Sequence, residues 1–78
     1  MEASLHLIDV HVGGRIRARR LEMGLTQTAL GVALGVRFQQ IQKYERAKNG
    51  VPASSLLLLA ERLGVNPEYF FQDLAWPQ

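Results

Sequence analysis

TQTALGVALGVRFQQIQKYER, running from Thr26 to Arg46, reads as two short helices folded around a glycine turn. The Thr26 hydroxyl suits an N-cap, because it accepts from the first amides that a helix leaves unbonded. The first helix of the pair is predicted over Gln27 to Leu34, with Leu30, Ala33 and Leu34 as its buried stripe. Gly35 permits the tight turn and Val36 is expected to plug it. The second helix covers about Phe38 to Arg46. Ile41 and Tyr44 fall on its inner face, and Phe38, Gln39, Gln42, Lys43 and Arg46 on the opposite one.

Working outward from this pair, Ile16, Arg20 and Met23 share one face of a helix from about Gly14 to Met23, with Val12 just before it and Gly24 as its stop. Gly13 and Gly14 read as a hinge ahead of that helix. In residues 1–12, Leu5, Leu7, Ile8, Val10 and Val12 alternate weakly with polar residues, which suits a short strand or a loose arm. Downstream, Pro52 precedes a helix from about Ser54 to Leu63 that Gly64 closes, with Leu56, Leu59, Ala60 and Leu63 as its core stripe. A last helix opens with Asn66 as N-cap, Pro67 in its first turn and Glu68 beside the dipole. It carries Tyr69, Phe70, Phe71 and Leu74. The expected fold class is all-α, a compact five-helix domain over residues 13–74, with an arm at 1–12 and a tail at 75–78.

Composition sets the outer bounds. A chain of 78 residues is one domain, and 47% hydrophobic residues suffice to fold it. With no cysteine, neither disulfides nor thiolate metal sites hold it together. The first twelve residues lack Lys, Arg and a continuous apolar run, so they make a poor signal peptide. The Leu56 to Leu59 run is far too short for a bilayer, so no membrane partner is expected and the expected location is cytoplasmic. The net charge of +2 is small, but its distribution is not even. Between Gly13 and Gly50 eight basic residues, Arg15, Arg17, Arg19, Arg20, Arg37, Lys43, Arg46 and Lys48, face only Glu22 and Glu45. Elsewhere Arg62 stands against Glu2, Asp9, Glu61, Glu68 and Asp73. A basic block beside an acidic one suits a polyanion-binding face as well as a solvated surface.

Catalysis has no cast: both histidines lie in the arm, and no nucleophile and base are paired, so no catalytic residue, cofactor or small-molecule ligand is expected. His6, Asp9 and His11 fit no helical metal motif, and Gly13–Gly14 lacks the Lys and Ser/Thr of a phosphate loop. The helix pair remains as the functional unit. An α-helix fits the major groove of DNA, where Gln pairs with adenine, Lys reaches guanine and an aromatic ring packs on the thymine methyl. Gln39, Gln42, Lys43 and Phe38 offer these groups on one face. The competing readings are an ordinary αα-hairpin in a small bundle and a protein-interaction module, such as an antitoxin or adaptor, that grips its partner through the aromatic end. RNA binding lacks the exposed stacking platform such modules use. Tyr69, Phe70, Phe71 and Trp76 exceed what so small a core can hide, which suggests a dimer surface.

Arg15–Ile–Arg, Arg20–x–x–x–Gly–Leu–Thr–Gln27, Leu30, Gly35–Val36, Ile41, Tyr44–Glu45 and Leu59–Ala60–x–x–Leu63 together resemble the phage repressor and Cro-type (XRE-like) family, over about Val12 to Leu74. The segments 38–46, 9–13 and 70–73 resemble a bacterial subgroup of these regulators. The resemblance implies a lambda-repressor-like fold and a homodimer on double-stranded DNA, at a two-fold operator of a transcriptional regulator, most naturally a repressor. It implies base reading by Phe38, Gln39 and Lys43. It also implies phosphate contacts at Thr26 and Gln27, a phosphate or base contact at Arg37, and an internal ion pair of Arg20 with Glu45. Arg46 and Lys48 complete the expected phosphate set. The Arg20 pair is expected independently, because an unpaired charge on an apolar helix face is costly. Three residues depart from the pattern. Arg37 stands where Ser or Thr usually caps the helix, Gly31 replaces a usual alanine at up to ~1 kcal/mol of helix propensity, and Ala47 replaces a usual glycine.

Overall fold

The computed structural model describes the backbone of residues 2–75 and the side chains from residue 6 onward; Trp76, expected in the aromatic end, lies outside the described residues. Four α-helices, α1 (Glu2–Glu22), α2 (Gln27–Leu34), α3 (Phe38–Glu45) and α4 (Ala53–Leu63), are followed by a 3-10 helix at Pro67–Phe71. The fifth helix is thus a 3-10 turn, the form that short helical pieces adopt. Its start is as the sequence requires: the Asn66 side chain accepts from the Glu68 amide at 3.0 Å.

The largest departure is at the amino end. The expected arm is helical, and α1 runs unbroken through the glycine pair that was read as a hinge. Ile8, Val12, Ile16 and Arg20 recur every four residues and face the core; this helical spacing, not the weak alternation, governs residues 2–12. Gly13 is buried where α1 crosses α3. A Cβ there would overlap the Tyr44 carbonyl oxygen and lie 2.9 Å from that of Glu45. Close packing on α3 therefore outweighs the helix-propensity cost of glycine, about 1 kcal/mol. Nothing stands within 4 Å of a Cβ on the exposed Gly14.

The core consists of Val12, Ile16, Leu30, Ile41, Tyr44, Leu59, Ala60, Leu63 and Phe70. Phe70 carries the carboxy-terminal turn into it, fully buried, and meets the Tyr69 ring edge-on at 5.8 Å. Two expected core residues lie outside. Met23 follows the last residue of α1 and leaves its inner face, and Val36 is exposed. The backbone plugs the turn after α2 instead. The Val36 amide donates to the Gly31 carbonyl at 2.9 Å, and the Val36 carbonyl oxygen sits 2.5 Å from where a Gly31 Cβ would be. Gly31 is therefore a close-approach residue, and the alanine usual at this position would force the turn apart.

Helix ends follow the sequence signals. Gly24, Gly35 and Gly64 adopt left-handed backbone after α1, α2 and α4. The Thr26 hydroxyl accepts from the Ala29 amide at 3.0 Å. Arg37 makes no side-chain cap to α3, as its replacement of Ser or Thr suggests. After α3, Ala47 has a left-handed φ of 57°, a conformation that costs a residue with a Cβ about 1–2 kcal/mol.

Candidate nucleic-acid interface

Of the eight basic residues in the central block, three are consumed internally. Arg20 is the most committed. Its Nε and Nη2 donate to the two carboxylate oxygens of Glu45 at 2.6 and 2.9 Å, and its Nη1 donates to the Leu25 carbonyl at 2.9 Å. Both side chains are buried, so the pair ties α1 to the end of α3 as expected. The hydrogen bonds to Glu45 raise the Arg20 pKa, burial acts the other way, and the charge of Glu45 adds to the rise.

Arg15 and Arg19, one turn apart on α1, hold the carboxy-terminal third. Arg15 Nε donates to the Tyr69 carbonyl at 3.0 Å and Nη2 to Gln72 Oε1 at 3.1 Å, while the guanidinium lies 3.9 Å from the centre of the Tyr69 ring. Arg19 Nε donates to the Leu63 carbonyl at the end of α4, at 3.0 Å, and Nη1 to Glu22 at 3.3 Å. One turn before Arg15, His11 Nε2 meets the Gln72 carbonyl at 2.7 Å. A carbonyl only accepts, so this nitrogen carries the proton.

The remaining five, Arg17, Arg37, Lys43, Arg46 and Lys48, are exposed, and none forms an ion pair among the described residues. Arg17, Arg20, Leu25, Thr26, Gln27, Gln42, Glu45 and Arg46 line one open cleft at the amino end of α2. There the first amides of α2 lie outside its hydrogen-bond ladder and carry the positive end of the dipole, which favours an anion. Because Glu45 is bound by Arg20, its charge does not offset Arg17 and Arg46. Arg17 was counted in the basic block but not among the expected contacts. Its place in the cleft follows from Arg20 three residues on, which shares that side of α1.

The expected base readers lie as the helical wheel requires. Gln39 and Lys43 are exposed one turn apart, Phe38 is exposed at the start of α3, and Gln42 is half-buried toward the cleft. Gln27 does more than its expected role. Its Nε2 donates to Glu45 Oε1 at 3.1 Å, so the side chain at the start of α2 is fixed on the buried ion pair. Gln40 turns away from the reading face, its amide donating to Asn49 at 3.4 Å.

A short capped helix, a glycine turn and a second helix with an open polar face define a helix-turn-helix unit. A helix-turn-helix family model matches residues 16–70. The chain is 47% identical over 72 residues to y4aM, an uncharacterized HTH-type transcriptional regulator of Sinorhizobium fredii, covering 92% of this chain and 50% of that protein. The P22 c2 repressor in complex with a synthetic operator superposes with a TM-score of 0.70 at 37% identity, over 76% of this chain and 89% of that one. The restriction-modification controller protein C.AhdI of Aeromonas hydrophila superposes with a TM-score of 0.75 at 31% identity, over 80% and 94%. The chain belongs to the helix-turn-helix family, as a DNA-binding domain of the phage-repressor and Cro (XRE) type with a lambda-repressor-like fold. It spans about half the length of the curated relatives it matches. No helix among the described residues is long and apolar enough to cross a membrane.

Proposed function

We propose that this domain reads a specific sequence in double-stranded DNA for a transcriptional regulator, most simply a repressor acting as a homodimer on a two-fold operator. The observation that carries this reading is the cleft at the amino end of α2, where Arg17 and Arg46 flank the open helix terminus while Glu45 is neutralised by Arg20. Thr26, Gln27 and Arg46 there, with Arg37 and Lys48 at the two ends of α3, hold phosphates and set the register. These contacts supply salt-dependent affinity but no sequence information. Gln39 and Lys43, flanked by Phe38 and Gln42, present the donors, acceptor and apolar edge that distinguish base pairs in the major groove.

Selection of bound sequences from random duplexes at near-physiological salt tests the reading. Enrichment of an inverted repeat with half-site centres about 34 Å apart, one helical turn, is the expected result. A folded protein that enriches no sequence overturns it and favours a protein-binding role for the same fold.

A further inference from the structure

The outer face of α1 is apolar. A helix covering the core from outside ordinarily turns polar residues to water, yet the side opposite Ile8, Val12 and Ile16 carries Leu7, Val10, Gly14, Ala18 and Leu21. Leu7, Val10 and Leu21 are each about half exposed, at 49%, 48% and 51%. At 100° per residue these five positions fall within a quarter-turn stripe, and no charged residue lies inside it.

The stripe is symmetric about Gly14. Val10 and Ala18 stand four residues to either side, and Leu7 and Leu21 seven. We infer that this face of α1 pairs with the same face of a second copy, antiparallel, with Gly14 on the two-fold axis. Leu7 then meets Leu21 of the other copy, and Val10 meets Ala18. An isologous interface requires this self-complementarity, and Gly14, with open space around its Cα, lets the two backbones approach closely. The charges flanking the stripe stay at its margins, so pairing desolvates none of them.

The area fixes the strength. A stripe from Leu7 to Leu21 is about 21 Å long and roughly 10 Å wide on a helix of ordinary diameter. That is on the order of 200 Å², well below the about 800 Å² per partner of a stable interface. The pair is therefore weak between free molecules and forms when both copies are already held close. α3 packs on α1 at Gly13 and Arg20, roughly a third of a turn around from the stripe. The two-fold axis thus carries both α3 helices to one side of the pair, where a single duplex can meet them. In this respect the inference rests on the DNA-reading function proposed above.

The cysteine-free sequence makes a direct test available. Gly14→Cys puts a thiol on the axis, and Glu61→Cys puts one on the exposed side of α4 as a control. Under mild oxidation Gly14→Cys forms the disulfide dimer at least tenfold faster than the control. Ala18→Glu, added to Gly14→Cys, abolishes that advantage without lowering the melting temperature. Equal oxidation rates for the two cysteine variants overturn the pairing. On DNA, Ala18→Glu alone leaves binding to a single half-site unchanged and removes cooperativity on the inverted repeat. Undiminished cooperativity overturns the inference while sparing the DNA reading. Rapid oxidation at Gly14→Cys with no duplex bound overturns the DNA reading alone.

Discussion

The Arg20 guanidinium closes on the Glu45 carboxylate at two points, and the same carboxylate takes a third bond from Gln27, so α1, α2 and α3 converge on one buried anion. Removing either partner leaves a buried charge uncompensated. Glu45→Ala is expected to destabilise the fold by about 3–5 kcal/mol, read as a fall in the denaturant midpoint. An unchanged midpoint would show that the pair carries no net stability. The raised Arg20 pKa fixes the pH window of the guanidinium. Its contribution is complete below the ordinary arginine value and is lost only as pH rises through the higher folded one. Arg20 ionisation therefore adds no slope to stability anywhere near neutrality.

Ala47 holds the left-handed bend after α3 at φ 57°. Ala47→Gly relieves the Cβ and is expected to stabilise by about 0.5–1 kcal/mol, the strain being partly offset by glycine's greater unfolded-state freedom. For a domain of this size that raises the melting temperature by roughly 4–8 °C per kcal/mol. A lower melting temperature would mean that the bend is unstrained.

Gly13 and Gly14 are neighbours with opposite expected responses. Gly14→Ala, with open space around the new methyl, gains up to about 1 kcal/mol of helix propensity. Gly13→Ala drives a methyl into the Tyr44 and Glu45 carbonyls, prises α1 off α3, and costs about 1–3 kcal/mol as an overpacking change. Parallel thermal melts separate the two, and equal shifts would contradict the crossing.

Gln39 and Arg17 test the two classes of DNA contact. Gln39→Ala is expected to cost about 1–3 kcal/mol on the selected site and to relax preference at one base pair. Arg17→Ala weakens binding to all sequences alike and lowers the slope of log affinity against log salt by about one. Equal losses on operator and random DNA would remove Gln39 from the base readers, and an unchanged salt slope would remove Arg17 from the phosphate contacts.

Where sequence reading succeeded, the signal was local. The Thr26 cap, the Gly24, Gly35 and Gly64 stops and the Asn66 start all act within a few residues, and structure and sequence agree on each. The inward Arg20 was legible because its partner had to be an acid on a neighbouring element. What escaped depends on the approach of distant chain. Gly13 and Gly31 look like helix breakers until the backbones lying against them are known. Arg15 and Arg19 look like DNA-facing charge, because the carbonyls that occupy them lie 54 and 44 residues away.

Those far-reaching bonds have a temporal consequence. The first helix is latched to the last turn by His11 and Arg15, and Phe70 from that turn completes the core. Closing such long loops costs entropy before the contacts return it. During synthesis the nascent chain therefore cannot seal its interior as the early helices emerge. The domain waits, its apolar side open, until residues near Gln72 have left the ribosome, and then closes as one unit.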